Sequence, residues 1–274
     1  ANLTLVFLSI SKLLAAGSID FGLAGSCPAA LAISQDFGIK VIWIHEVLGS
    51  VESLVSRKAA DIKNVEDLKG KTVATPFAST AHFSLLHAME NAGLTEKDVN
   101  LLDMQPSEIY AAWQNGQIDA AYIWEPTLSQ MEDAVTVCTS SDMADAGYMT
   151  TNLEMVRTEF ADANPDIVVA YIKAVNKAAE LYQGNKDEAV SIIAKAMKLD
   201  NEAAQSQMEG STWLSAKEQL GADYFGTSDA KGAFAQNLYD TAKFLKEQGS
   251  ISEVPEKSVF EEAVDSTYLE KAVQ

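Results

Sequence analysis

Cations and thiols are scarce in this 274-residue chain, and each shortage excludes a class of protein. The chain has 20 Lys and Arg against 39 Asp and Glu, a formal net charge of -19. Such a field repels phosphate backbones and anionic headgroups, so binding to nucleic acid or membrane by charge attraction is excluded. Only two cysteines occur, Cys27 and Cys138, too few and too far apart for a metal cluster or a disulfide scaffold. The three histidines are His45, His82 and His87. None has metal-ligand spacing to a cysteine, and the last two point to different faces of a helix. No metal site is expected. No apolar run approaches the roughly 18 residues that cross a bilayer. The opening ANLTLVFLSI lacks a basic leader and a small-residue cleavage site. It reads as a strand of a mature chain rather than an intact signal peptide. Internal repeats and low-complexity stretches are also missing, as are a G-x-S-x-G elbow, a P-loop and an H-E-x-x-H helix.

What is present is an ordinary core-forming composition, 47% hydrophobic, enough for one large or two ordinary domains. Strands are expected at Thr4 to Leu8, Ile19 to Ala24, Val41 to Ile44, Ser53 to Ser56, Thr72 to Thr75, Val99 to Met104 and Ala120 to Ile123. Between them, helices are expected at Ile10 to Ala16, from Ser26-Cys27-Pro28, at Asn64 to Leu68, at Ser79 to Asn91 and at Ser107 to Asn115. Strand and helix alternating at this spacing predict an α/β domain with a mostly parallel sheet. From Asn164 the pattern turns helical: Asp166 to Gln183, Lys186 to Ala196, Asn201 to Glu209, Ala230 to Gln248 and Val259 to Lys271.

Two helix starts combine free backbone N–H groups with short hydroxyls: Ser26-Cys27-Pro28 and Ser79-Thr80-Ala81. Orphan donors and a partial positive charge there suit a sulfonate, carboxylate or phosphonate. Ordinary N-capping accounts for the same hydroxyls. Trp124 and Glu125 end a strand ahead of Pro126, at the kind of strand-end loop where α/β sheets bind ligands. An aromatic face beside a carboxylate suits an ammonium group. Trp124 as core and Glu125 as a cap of the next helix is the competing reading. His82, one turn into its helix, reads as a satisfied structural histidine or as a group facing a ligand. Tyr148, Trp213 and Tyr224 serve equally as packing or as aromatic walls.

Four segments in order, GSCPAALAIS, DLKGKTVATPFASTAHFSLLHAMENAGL, AAWQNGQIDAAYIWEP and NLYDTAKFLKEQG, resemble the taurine- and alkanesulfonate-binding proteins of ABC importers. These belong to the nitrate/sulfonate/thiamine-precursor group of periplasmic binding proteins. The resemblance spans nearly the whole chain and is most specific from Lys71 to Leu86. It implies a two-lobed type II periplasmic-binding-protein fold with mostly parallel sheets and a helical C-terminal part. Lobe 1 would be residues 1–70 plus 150–274, and lobe 2 residues 71–149. Against the family, a helix and a strand are missing near residue 9.

The resemblance further implies a non-enzymatic, exported receptor, periplasmic or lipid-anchored, that takes up taurine or a similar small sulfonate by lobe closure. It would be monomeric, need no cofactor and dock on an ABC permease with its ATPase. Betaine, choline, an amino acid or nitrate are the alternative solutes, and a sensor domain the alternative role. The thiamine-pyrimidine synthases related to this group carry a cysteine-rich iron motif that Cys27 and Cys138 do not form. The implied ligand contacts are Ser26, Cys27, Ser79, Thr80, His82, Trp124, Glu125, Asn152 and Glu52. Glu52, in the LGSVES segment, matches a family glutamate and meets an ammonium group, holds a hinge or lies at the surface. The family carries a small residue where Glu125 stands and an acidic one where Asn152 stands. The ammonium end therefore departs from the family pattern.

Overall fold

The computed structural model describes residues 4–274, with side chains placed from Ile10 onward. The chain divides into two compact units. One contains Leu48–Thr150; the other contains Phe7–Val47 and Thr151–Gln274.

In chain order, α1 (Thr4–Ala15) leads into β1 (Phe21–Gly25), α2 (Ser26–Ser34), β2 (Ile39–Leu48) and β3 (Glu52–Arg57). There follow β4 (Thr72–Thr75), α3 (Thr80–Asn91), β5 (Asn100–Asp103), α4 (Pro106–Gln114) and β6 (Ala120–Trp124). Next come α5 (Thr127–Gln130), β7 (Ala134–Thr139), α6 (Ser140–Asp145), β8 (Thr151–Arg157), α7 (Thr158–Ala163) and α8 (Pro165–Gly184). The remainder is α9 (Lys186–Met197), α10 (Asn201–Glu209), β9 (Ser211–Thr212), α11 (Ala216–Gln219), α12 (Phe234–Glu247), α13 (Lys257–Ala263) and α14 (Thr267–Ala272). The chain is thus α/β with a helical C-terminal part, as expected.

The first unit is built on a five-stranded sheet in the order β5-β4-β6-β3-β7. Period-2 alternation feeds a core on each face. Leu54, Val73 and Tyr122 pack with Leu85 and Met89 of α3 on one side. Their chain neighbours Val55, Ala74 and Ile123 pack with Ile109 and Trp113 of α4 on the other.

The second unit carries a four-stranded sheet in the order β1-β8-β2-β9. Its long helix α12 buries Phe234, Leu238, Ala242 and Leu245, the four-residue stripe of a helix lying on a core. Helix α1 lies close over β1. A Cβ at Gly22 would come within 2.5 Å of the Ile10 side chain, so glycine is required for that approach.

Three expectations are corrected. The sheets are not mostly parallel: β4 pairs parallel with β5 and β6, whereas β3 runs antiparallel to β6 and β7, and β8 antiparallel to β1 and β2. Strand-helix alternation along the chain does not register strands that join a sheet from the other direction. The first crossing between units lies at Val47–Leu48 rather than near residue 70, because β3 pairs inside the five-stranded sheet. Residues Thr4 to Leu8, expected as a strand, are helical, and α1 runs without a break through residue 9.

No helix among the described residues is long and apolar enough to cross a membrane. Among those residues no group of His, Cys, Asp and Glu is arranged to hold a metal ion.

Candidate functional site

In the first unit the expected residues gather around the start of α3. Ser79 is the N-cap, in extended backbone (φ -95°, ψ 173°), and its hydroxyl accepts the His82 N–H at 3.2 Å. The same hydroxyl donates to the Pro76 carbonyl at 2.6 Å. The first four N–H groups of a helix have no intrahelical partner. Ser79 meets the third, and the Phe83 N–H reaches the Ser79 carbonyl. The N–H groups of Thr80 and Ala81 are the first-turn donors without an intrahelical partner.

The Thr80 side chain is committed elsewhere. Its hydroxyl donates to Glu52 Oε2 at 2.5 Å, and Ser140 donates to Glu52 Oε1 at 2.8 Å. Since the single Ser140 proton goes to Glu52, the Tyr122 hydroxyl, 3.2 Å from Ser140, is the donor of that pair. Burial pushes Tyr122 well above its ordinary pKa, reinforced by the nearby Glu52 charge, so the donor keeps its proton. Glu52 is 1% exposed. It therefore does not sit on the surface; it ties β3 to the first turns of α3 and α6.

His82 is buried and lies flat on Phe77, ring centres 4.4 Å apart. Its Nδ1 accepts the Ala78 N–H at 3.3 Å. Burial lowers its pKa to about 4, so it is a neutral imidazole at physiological pH. The anion end of a ligand at α3 would meet dipolar N–H groups and no imidazolium.

Trp124 and Glu125 separate in role. Trp124 is paired across from Glu52 and packs against the cores on both faces of the sheet. The Glu125 carboxylate accepts both the Ser129 N–H (3.2 Å) and the Ser129 hydroxyl (2.5 Å), in the first turn of α5. Tyr148 stacks on His87 at 4.1 Å.

In the second unit, Ser26 and Cys27 open α2 and are both buried. Gly25 is the N-cap, so no side chain caps this helix. Pro28, in its first turn, has no N–H to satisfy. The Ser26 hydroxyl is 1% exposed and has no hydrogen-bond partner among the described residues. Asn152 donates from Nδ2 to Glu46 Oε1 at 2.8 Å. The Ser211 hydroxyl donates to the other Glu46 oxygen at 2.5 Å. Tyr224 is half-buried, its pKa raised by burial and by the nearby Asp223 and Glu218 charges.

Both cysteines are buried thiols, not bridged. Burial, with the Asp142 charge, pushes the Cys138 pKa up to about 11, so it is not a thiolate nucleophile.

The sequence reading missed Ser140, Tyr122, Glu46 and Ser211. Ser140, following Thr139, has the local signature of a helix start. Nothing local marks the other three, whose partners lie 18 to 165 residues away.

Each of the two α/β units offers a helix N-terminus with a short hydroxyl beside it. The chain belongs to the NMT1/THI5 like family, whose model matches residues 8–189. It is 36% identical over 253 residues to the taurine-binding periplasmic protein of Escherichia coli (strain K12), covering 90% of this chain and 76% of that one. The resemblance seen in the four sequence segments is borne out.

The periplasmic aliphatic sulphonate binding protein SsuA from Escherichia coli has a similar structure, TM-score 0.73 at 21% identity, over 92% of this chain and 78% of that one. The desulfurization enzyme DSZB is similar too, TM-score 0.67 at 17% identity, over 92% and 84%. At such identities the likeness is one of fold, and this fold serves both binding proteins and an enzyme.

Proposed function

We propose that this chain is the exported solute-binding component of an ABC importer and that its ligand is taurine or a similar small sulfonate. The observation that carries the reading is the 36% identity, over nearly the whole chain, to a taurine-binding periplasmic protein. The physical chemistry agrees with it. The first unit holds the α3 N-terminus, whose Thr80 and Ala81 N–H groups precede the first intrahelical bond, beside a neutral His82. The second holds the α2 N-terminus with a Ser26 hydroxyl that has no partner among the described residues. Helix N-termini receive a sulfonate without a lysine or arginine, which suits a chain of net charge -19.

In the second unit Ser26 and Cys27 are assigned to an anion at the start of α2; in the first, Ser79 and Thr80 are assigned to an anion at the start of α3, through backbone N–H groups. Glu52, His82 and Trp124 shape and stiffen the first unit around that point. The protein is assigned no chemical step: Cys138 is held as a thiol, and no catalytic motif is present. It would act as an extracytoplasmic monomer that delivers its solute to a permease and its ATPase.

Thermal denaturation across a ligand panel tests this. Taurine should raise the melting temperature in a dose-dependent way, by about 2.7 kcal/mol of added stability at a hundred times Kd. Betaine, choline, amino acids and nitrate should do less. No shift with any sulfonate, or a larger one with nitrate or betaine, refutes the assignment.

A further inference from the structure

The carboxylate of Glu46 is held in place without a cation. Its two oxygens accept from neutral donors, Asn152 Nδ2 at 2.8 Å and Ser211 Oγ at 2.5 Å. Among the described residues no Lys, Arg or His forms an ion pair with it. The other carboxylate on this stretch of sheet, Glu154, differs: it has His45 Nδ1 at 3.0 Å. Burial pulls the His45 pKa down, but Glu154 and then Glu46 outweigh it, and the imidazole is held above its ordinary value. Glu154 thus has a direct imidazole partner, while Glu46 acts on that ring only at longer range. A carboxylate has about four acceptor positions, and Glu46 has used two.

The fold sets Glu46 in this position. The register of β2 against β8 shifts between Ile44 and Glu46, leaving His45 as the extra residue. The buried Gln219 amide fixes the bulge, accepting from the Ile44 N–H at 2.7 Å and donating to its carbonyl at 2.9 Å. The Trp213 indole, edge-on to His45 at 5.5 Å, supplies an aromatic wall beside the Ser211 that holds Glu46.

An independent observation lies in the same row of the sheet. Gly25, Asn152 and Glu46 are cross-strand partners on β1, β8 and β2. Strand spacings of about 4.8 Å put the Gly25 and Glu46 α carbons roughly 10 Å apart. At the Gly25 end of that row, α2 begins uncapped by any side chain, with the buried Ser26, whose hydroxyl has no partner among the described residues, as its first residue. One unit therefore carries, along one row of its sheet, an anion-receiving helix start and a carboxylate that has no direct ion pair among the described residues.

We propose that Glu46, positioned by Asn152 and Ser211, receives the ammonium group of an aminoalkanesulfonate. The ligand class is thereby narrowed from sulfonates in general to those bearing a primary ammonium group. The proposal rests on the sulfonate reading above. It places the cationic end at Glu46 rather than at Glu125, which is engaged with Ser129.

The test is calorimetric titration of the whole chain with taurine and with isethionate, which replaces the ammonium group by a hydroxyl. Wild type should prefer taurine by about tenfold or more, the range of a hydrogen bond to a charged group. Glu46→Gln should remove that preference by weakening taurine while changing isethionate by less than about twofold. Equal wild-type affinities, an unchanged preference in Glu46→Gln, or an equal loss for both ligands overturns the proposal. The wild-type comparison decides it even if the variant does not fold. Wild type binding neither ligand refutes the sulfonate reading itself, and this proposal with it; isethionate bound as well as taurine refutes the proposal alone.

Discussion

The neutral state of His82 makes the stability of the first unit depend on pH in a calculable way. Its pKa falls from an ordinary 6.5 to about 4 on folding, because burial on Phe77 disfavours the imidazolium. The unfolded chain then binds the proton more tightly than the folded one, so the stabilisation is present above pH 6.5 and lost as pH falls toward 4. A shift of this size is worth ~3 kcal/mol in full. Between pH 7 and pH 5 the loss is about 2 kcal/mol.

The assay is urea denaturation followed by tryptophan fluorescence at both pH values, for wild type and His82→Gln. Carboxylates elsewhere titrate in both proteins, so the informative quantity is the difference in pH dependence. The variant loses the stack on Phe77 and is expected to be less stable at pH 7, yet flatter by about 2 kcal/mol between the two pH values. Identical pH dependence, or an imidazole titrating near 6.5 by NMR, would refute the argument.

Two further outcomes follow from the same unit. Ser140→Ala removes a hydroxyl donated to the buried Glu52 and one partner of the Tyr122 hydroxyl, so urea denaturation should show a loss of about 1.5–3 kcal/mol. A loss under about 0.5 kcal/mol would mean that Glu52 is not held as described. Glu125→Gln should leave taurine affinity within about twofold by calorimetry, because that carboxylate accepts from Ser129 in the first turn of α5. A drop of tenfold or more would return Glu125 to the ligand.

What the sequence disclosed was local. Helix α3 was readable from Ser79 because capping acts within three residues. Strands β3, β4 and β6 were readable because both faces are buried and their runs are apolar. Strand β7 escaped notice, since Val135 and Thr136 are exposed and its apolar pattern is broken by threonines. Strand β8 escaped because Asn152 and Glu154 interrupt its apolar run, their partners lying on β2.

Sheet membership is a non-local property, and for that reason β3 was assigned to the wrong side of the crossing. The site divides in the same way. Ser79 and Thr80 were visible as a helix start, while Glu46 required the pairing of strands more than a hundred residues apart. For Glu125 the two readings from sequence were ligand and cap; its carboxylate accepts from the N–H and the hydroxyl of Ser129 in the first turn of α5.

Equilibrium dialysis of the purified chain against labelled taurine tests the central claim most directly. The account predicts saturable binding of one taurine per chain, displaced by unlabelled aminoalkanesulfonates and only weakly by betaine or nitrate. A folded chain that retains no taurine above the buffer level, and none of any alkanesulfonate, would contradict it.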